Sequence, residues 1–252
     1  MLKTAQERSG GGQRPYIGFG KGGSPEETLA GLDVRIIACR HCPRLVAWRE
    51  AVAQSKTRRF RDQEYWGKPI VGFGDFDARV VLVGLAPAAH GGNRTGRMFT
   101  GDESGNWLFR ALYETGFANQ PESIGRADGL RLKDCYITAS VRCAPPQNKP
   151  TKEEFANCRP YLLEELSLLK NLRVVVGLGK IGFDAAASAL KELGLIDYRK
   201  KPKFGHGIHL RFGKIHLLGT YHPSQQNTFT KKLTREMLRS VFRKARSTAR
   251  RK

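Results

Sequence analysis

The stretch Arg79–Asp102, RVVLVGLAPAAHGGNRTGRMFTGD, decides how the rest of the chain is read. Its opening, Val80 to Val83 with Gly84 behind it, is short, apolar and β-branched, the pattern of a strand buried on both faces. The strand then discharges into a long polar loop holding Gly91, Gly92, Gly96 and Gly101 together with His90, Arg94, Arg97 and Asp102. Connections between a strand and a helix usually need only about 2–6 residues, and longer ones are functional or disordered. Phe99, His90 and Asp102 in one loop point to function. In an open α/β sheet such a loop is also where a ligand binds, beyond the carboxyl ends of the strands.

Downstream, the pattern repeats. Cys135–Val141, Arg173–Gly177 and Lys214–Gly219 read as further strands. Helical spacing separates them. Gly105–Thr115 is the first such segment, and Lys180–Leu193 the last. Between them, Phe155, Cys158, Leu162, Leu166 and Leu169 follow a Thr151–Glu154 capping box, with a kink or break expected at Pro160. A final helix starts near Thr230. Upstream, Ser24–Glu27 is another capping box, predicting a helix to about Ala38, and Pro43 opens a helix through Trp48 and Val52. Strand and helix in alternation predict an α/β sandwich with a largely parallel sheet, its Gly- and Pro-rich loops converging on one edge. Residues 1–23 carry seven glycines and little apolar patterning, so a disordered tail is expected there. The globular domain is expected over 24–243, with a basic tail over 244–252.

Composition narrows the partner. Forty-four Lys and Arg against 23 Asp and Glu leave a formal charge of +21, which suits a polyanion, nucleic acid ahead of an anionic membrane surface. No apolar run is long enough to span a bilayer and no hydrophobic signal region opens the chain, so a soluble cytosolic protein is expected. The five cysteines are then not expected to form disulfides. Cys135 lies within an apolar segment and reads as a core residue. Cys39, Cys42, Cys143 and Cys158 remain, a set suited either to structural zinc or to an iron–sulfur cluster. Zinc ribbons use two short Cys-x2-Cys knuckles; here 14 residues separate the second pair, which favours [4Fe–4S].

His222-Pro223-Ser224, between a strand and a helix, places an imidazole at the convergent edge with Asp102 and Asn148. These three groups around the Phe99 ring suit a planar polar ligand such as a nucleobase. The ring stacks, the amide reads an edge, and the carboxylate and imidazole act on charge developing in the reaction. No Ser–His–Asp relay or phosphate-binding lysine loop is evident, and Gly177-Leu178-Gly179 lacks the third glycine of a dinucleotide fingerprint.

Gly84–Arg97 (GLAPAAHGGNRTGR), Phe99–Asp102 (FTGD), Val141–Pro146 (VRCAPP), Asn148–Pro150 (NKP), His222–Ser224 (HPS) and Cys39–Val46 (CRHCPRLV) together resemble the family 5, or B-type, uracil-DNA glycosylases. The resemblance covers about residues 30–240. The related family 4 carries an Asn four residues before its third cluster cysteine; this chain has Ala139 there, which points to family 5. The resemblance implies a three-layer α/β/α sandwich with a four-stranded, mainly parallel central sheet. It implies a [4Fe–4S] cluster on Cys39, Cys42, Cys143 and Cys158. It also implies hydrolysis of the N-glycosidic bond of uracil, or another deaminated base such as hypoxanthine, flipped out of single- or double-stranded DNA. The enzyme would be a monomer of the prokaryotic cytosol. Asp102 would orient water or stabilise the sugar cation, Asn148 would hold the base, His222 would stabilise the departing base and Phe99 would stack on it. Gly84, Ala86 and His90 would complete the base pocket, and Asn93, Arg94, Ser224, Gln225 and Gln226 would meet the DNA. Met98 stands where the family is expected to have proline. A noncatalytic iron–sulfur nucleic-acid-binding protein is the competing reading.

Overall fold

The computed structural model describes residues 28–250. The Ser24–Glu27 capping box and the glycine-rich head lie outside these residues. The first described helix, α1 (Leu29–Ala38), starts on Thr28, whose hydroxyl accepts from the Gly31 N–H. α2 (Pro43–Ser55) opens on Pro43 as expected. The chain continues through β1 (Phe73–Gly74), β2 (Val80–Gly84), α3 (Gly92–Thr95), α4 (Glu103–Glu114), β3 (Cys135–Ala139), α5 (Lys152–Leu168) and β4 (Val174–Leu178). It ends with α6 (Gly179–Glu192), β5 (His209–Phe212), β6 (Ile215–Thr220), α7 (Gln225–Phe229) and α8 (Arg235–Arg250).

The sheet has six strands in the order β1-β3-β2-β4-β6-β5. Its centre, β3-β2-β4-β6, is parallel throughout and is the four-stranded sheet expected. Two antiparallel edge strands extend it, β1 on β3 and β5 on β6. Neither shows in the pattern of residues, because β1 is two residues long and β5 is only half-buried and lacks a continuous apolar run.

The apolar run of β2 serves two cores. Val80 and Leu82 pack toward Leu108 and Leu112 of α4 and Phe242 of α8, while Val81 and Val83 pack toward Ile36 of α1, Leu166 of α5 and Phe183 of α6. Helices therefore cover both faces of the sheet, giving the three-layer sandwich. Each fully buried Val, Leu or Phe side chain contributes about 1.5–3 kcal/mol. Met98, in place of the expected proline, is buried in the first of these cores.

Two local expectations change. α5 runs through Pro160 without a break; the proline is on the exposed side, where one lost hydrogen bond does not end the helix. α8 continues to Arg250 and buries Ala245, Thr248 and Ala249, so no tail begins at residue 244. The stripe Leu238, Val241, Phe242, Ala245, Ala249 keeps helical spacing past the expected boundary.

Topology locates the cleft. The helix after β2 lies on one face and the helix after β4 on the other, so the strand order reverses between these two parallel neighbours. Open α/β sheets bind ligands at such a switch point. Among the described residues no helix is long and apolar enough to cross a membrane.

Candidate active site

Three of the predicted residues meet at the carboxyl ends of β2 and β6. The Phe99 ring lies on the backbone of Gly84, where a β-carbon would stand 3.0 Å from Phe99 Cζ. Phe99 itself has φ +52°, a left-handed backbone that side chains adopt at a cost and that concentrates at functional sites. His222 faces the ring, with centroids 5.7 Å apart and a tilt of 34°. Asn227 Nδ2 donates to the His222 carbonyl at 2.9 Å and holds the turn. Burial lowers the His222 pKa to about 4, so the imidazole is neutral at pH 7.

Asp102 sits at the end of the same loop as the N-cap of α4, where its Oδ1 accepts from the Gly105 N–H at 2.9 Å. Its Oδ2 rests against Gly91, where a β-carbon would take its place. Burial pushes the carboxyl pKa above its ordinary value, while the N–H groups of Gly105 and Ser104 and the charge of Arg94 pull it down. Asp102 lines a cavity of about 380 Å³ together with Arg59, Phe60, Gln63, Arg94 and Gln225.

The other predicted residues divide. Ser224 is the N-cap of α7, and Gln225 and Gln226 are exposed on its first turn. Asn148 stands on an exposed turn with φ +56°, and no side-chain hydrogen bond joins it to Asp102 or His222 among the described contacts. His90 Nδ1 is held 3.0 Å from the Tyr65 hydroxyl. Ala86 packs against the buried group of Cys42, Leu45, Val141, Cys143 and Cys158.

Of the two loop residues expected to touch DNA, Asn93 faces inward and Arg94 forms part of the cavity wall. Asn93 is 1% exposed and donates to the Arg49 carbonyl at 3.1 Å. Arg94 spends its guanidinium on the His90 carbonyl (2.8 Å), Gln63 Oε1 (2.6 Å) and the Gly101 carbonyl (2.9 Å), over the Phe60 ring. Its place is to hold the loop that presents Asp102.

Cys42, Cys143 and Cys158 share a buried cluster with Leu45 and Val141, and Cys39 is half-buried at the end of α1. None is in a disulfide. Arg49 Nη1 donates to Cys143 Sγ at 2.8 Å and Nη2 to the Cys39 carbonyl at 3.3 Å, while its buried Nε has no partner. Asn157 Nδ2 donates to Cys42 Sγ at 3.5 Å. Burial pushes the Cys143 thiol up to about 12 and Cys158 to about 11, so both are protonated when nothing binds them. Among the described residues no three Cys, His, Asp or Glu side chains converge on a single-ion site. Cys135 is fully buried in the core, as expected.

Supporting residues were missed. Arg49 belongs to the buried stripe Leu45, Val46, Arg49, Val52 of α2, and Glu165 to the stripe Leu162, Glu165, Leu166 of α5. Glu165 binds Arg142 (Nη2–Oε2, 2.6 Å) and accepts from the Tyr136 and Thr138 hydroxyls, bracing the residue before Cys143. A charged residue on the apolar face of a helix was the available signal.

The family model of the uracil DNA glycosylase superfamily matches residues 71–246. The chain belongs to that superfamily. Its likeness is to type-5 members: it is 49% identical over 224 residues to the type-5 uracil-DNA glycosylase of Mycobacterium tuberculosis, covering 88% of this chain and 82% of that protein. Identity to the type-5 uracil-DNA glycosylase of Mycobacterium leprae is 49% over 232 residues, 91% of this chain and 97% of that one. With the Thermus thermophilus type-5 uracil-DNA glycosylase it is 51% over 215 residues, 85% and 95% of the two chains.

Proposed function

We propose that this chain hydrolyses the N-glycosidic bond of uracil flipped out of DNA, the step that opens base excision repair, and that other deaminated bases can enter the same site. The observation that carries the reading is the pairing of a neutral His222 on the Phe99 ring with a half-buried carboxylate, Asp102, at the end of the same loop. Cleavage puts positive charge on the sugar and negative charge on the base. Asp102 is held with Oδ1 on the helix N-terminus and Oδ2 beside Gly91, and from there its carboxylate acts on the sugar or on an attacking water. His222, being neutral, donates an N–H to the departing base without surrendering a proton. Phe99 stacks on the base, Asn148 reads its edge, and Gly84 leaves room beside the ring. Each charged or polar contact strengthens as charge develops, which is what lowers the barrier.

We also infer that Cys39, Cys42, Cys143 and Cys158 hold a [4Fe–4S] cluster. The donor set fits: four unbridged thiols, three of them buried, with the unpartnered Arg49 N–H and the Arg142 charge beside them. A cubane places each thiolate on its own iron, so it does not need the tight convergence that one ion demands. Bound, the cluster would pin α1, α2 and α5 together; no catalytic step runs through it.

Base release from duplexes bearing uracil, measured in single turnover, tests the activity. Binding without release would leave a noncatalytic DNA-binding protein. Iron and acid-labile sulfide, with broad visible absorbance, test the cluster. Cys135→Ser is expected to keep the colour and Cys158→Ser to lose it; colourless protein carrying one zinc would overturn the assignment.

A further inference from the structure

The loop 118–132, between α4 and β3, belongs to none of the motifs above and is closed on itself. Ala118 and Leu132 bridge its neck, and Asn119 bonds the Gly129 carbonyl at 3.0 Å and the Arg131 N–H at 2.7 Å. Asp128 accepts from the N–H groups of Ile124, Gly125 and Leu130 at 2.9, 3.3 and 3.0 Å. Arg97, itself buried, pairs with Asp128 and donates to Ser123 Oγ at 2.7 Å. The Gly101 N–H donates to the Ser123 carbonyl at 3.2 Å, so the frame is fastened to the residue before Asp102.

At its tip this frame holds out Ile124, 70% exposed. The side chain stands on the rim of the cavity that Asp102 lines, a rim shared with Gln225. Arg59 lines the same cavity, Arg126 lies 4.2 Å from the Trp66 ring beside the tip, and Arg110 and Arg235 line the neighbouring hollow with Glu103 and Glu122.

We propose that Ile124 is an apolar wedge that enters the DNA base stack beside the flipped uracil. The proposal rests on the glycosylase reading of the site. An isoleucine this exposed contributes little to folding, yet the hydrogen bonds behind it hold it in one position. Proteins that kink duplexes do so with apolar side chains pushed between base steps, and a wedge works only if its backing does not yield. Cations on either side of the tip suit the phosphates that flank an opened step.

The test uses Ile124→Ala, a surface change that leaves the frame intact. The probe is a duplex carrying a non-hydrolysable 2′-fluoro-deoxyuridine next to 2-aminopurine, whose fluorescence rises when its stack opens. The parent is expected to raise the signal and Ile124→Ala to lose most of that rise. At saturating enzyme, cleavage by the variant is expected to fall about tenfold for uracil opposite adenine and less than about twofold opposite an abasic analogue, where unstacking is already easy. Equal losses on both duplexes, or the same fluorescence from parent and variant, would overturn the wedge. A parent that cleaves neither duplex but opens the stack through Ile124 would keep the wedge and remove the glycosylase reading.

Discussion

At the scale of single residues, the site holds two titratable groups where folding alone would not place them. Burial raises the Asp102 pKa, so the folded chain holds that proton more tightly than the unfolded chain does. The resulting stability is present at low pH and is lost as pH rises through the folded value. The ionised carboxylate therefore costs stability at neutral pH, where the proposed chemistry needs it. Asp102→Asn keeps a good helix cap. It is expected to match or exceed the parent in denaturant midpoint at pH 7 while losing about 100- to 1,000-fold in single-turnover rate. A parent-like rate would take Asp102 out of the mechanism. His222 runs the other way: burial lowers it from 6.5 to about 4, so the unfolded chain takes up the proton first. Stability is then lost as pH falls through that window. His222→Asn should show a smaller drop in midpoint between neutral pH and about pH 4.5 than the parent, together with a loss of rate.

Elements decide whether those groups are in place. The β2–α4 connection folds so tightly that Gly91 and the Asp102 carboxylate share one space. Gly91→Ala is expected to displace the carboxylate, lowering the rate as the Asp102 variants do while uracil duplex is still bound. An unchanged rate would mean that the loop can move aside. In α2, Arg49 points its guanidinium at Cys143 from the buried stripe of the helix. Arg49→Met preserves the packing and removes the donors. If the thiols hold a cluster, iron per chain should fall in this variant although all four cysteines remain; full iron content would make Arg49 a packing residue only.

For the whole molecule, the question is where the +21 charge acts. Ten Lys and Arg lie between Lys231 and Lys252, against Glu236. Several are already engaged: Arg239 pairs with Glu114 and Glu236, Arg243 with Glu236, and Arg246 donates to the Thr115 carbonyl at 2.6 Å. Trimming 244–252 would uncover the core beneath Ala245, Thr248 and Ala249, so truncation reports on folding rather than on charge. Lys244→Ser with Arg250→Ser changes only exposed positions. That double variant is expected to keep the parent's stability and to flatten the logarithmic salt dependence of DNA binding by roughly 1–2. An unchanged slope would assign this face of α8 to another partner.

By itself the sequence determined the four central strands, the helices between them, the edge on which Phe99, Asp102 and His222 stand, and the family. Buried parallel strands need continuous apolar runs, caps act within a turn of their helix, and the motif loops follow strand ends directly, so each of these is written locally. Only the tertiary structure decided which way the polar side chains turn. Asn93 reads as a DNA contact until Arg49, 44 residues away, takes its amide. Arg97 finds Asp128 at a separation of 31 residues, and Arg142 finds Glu165 at 23. The edge strands β1 and β5 likewise exist only because a finished sheet offers them a partner. Apolar periodicity records that a position is buried. The partner of a buried polar group is set by segments that only the fold brings together, and a short edge strand carries too few residues to leave a pattern.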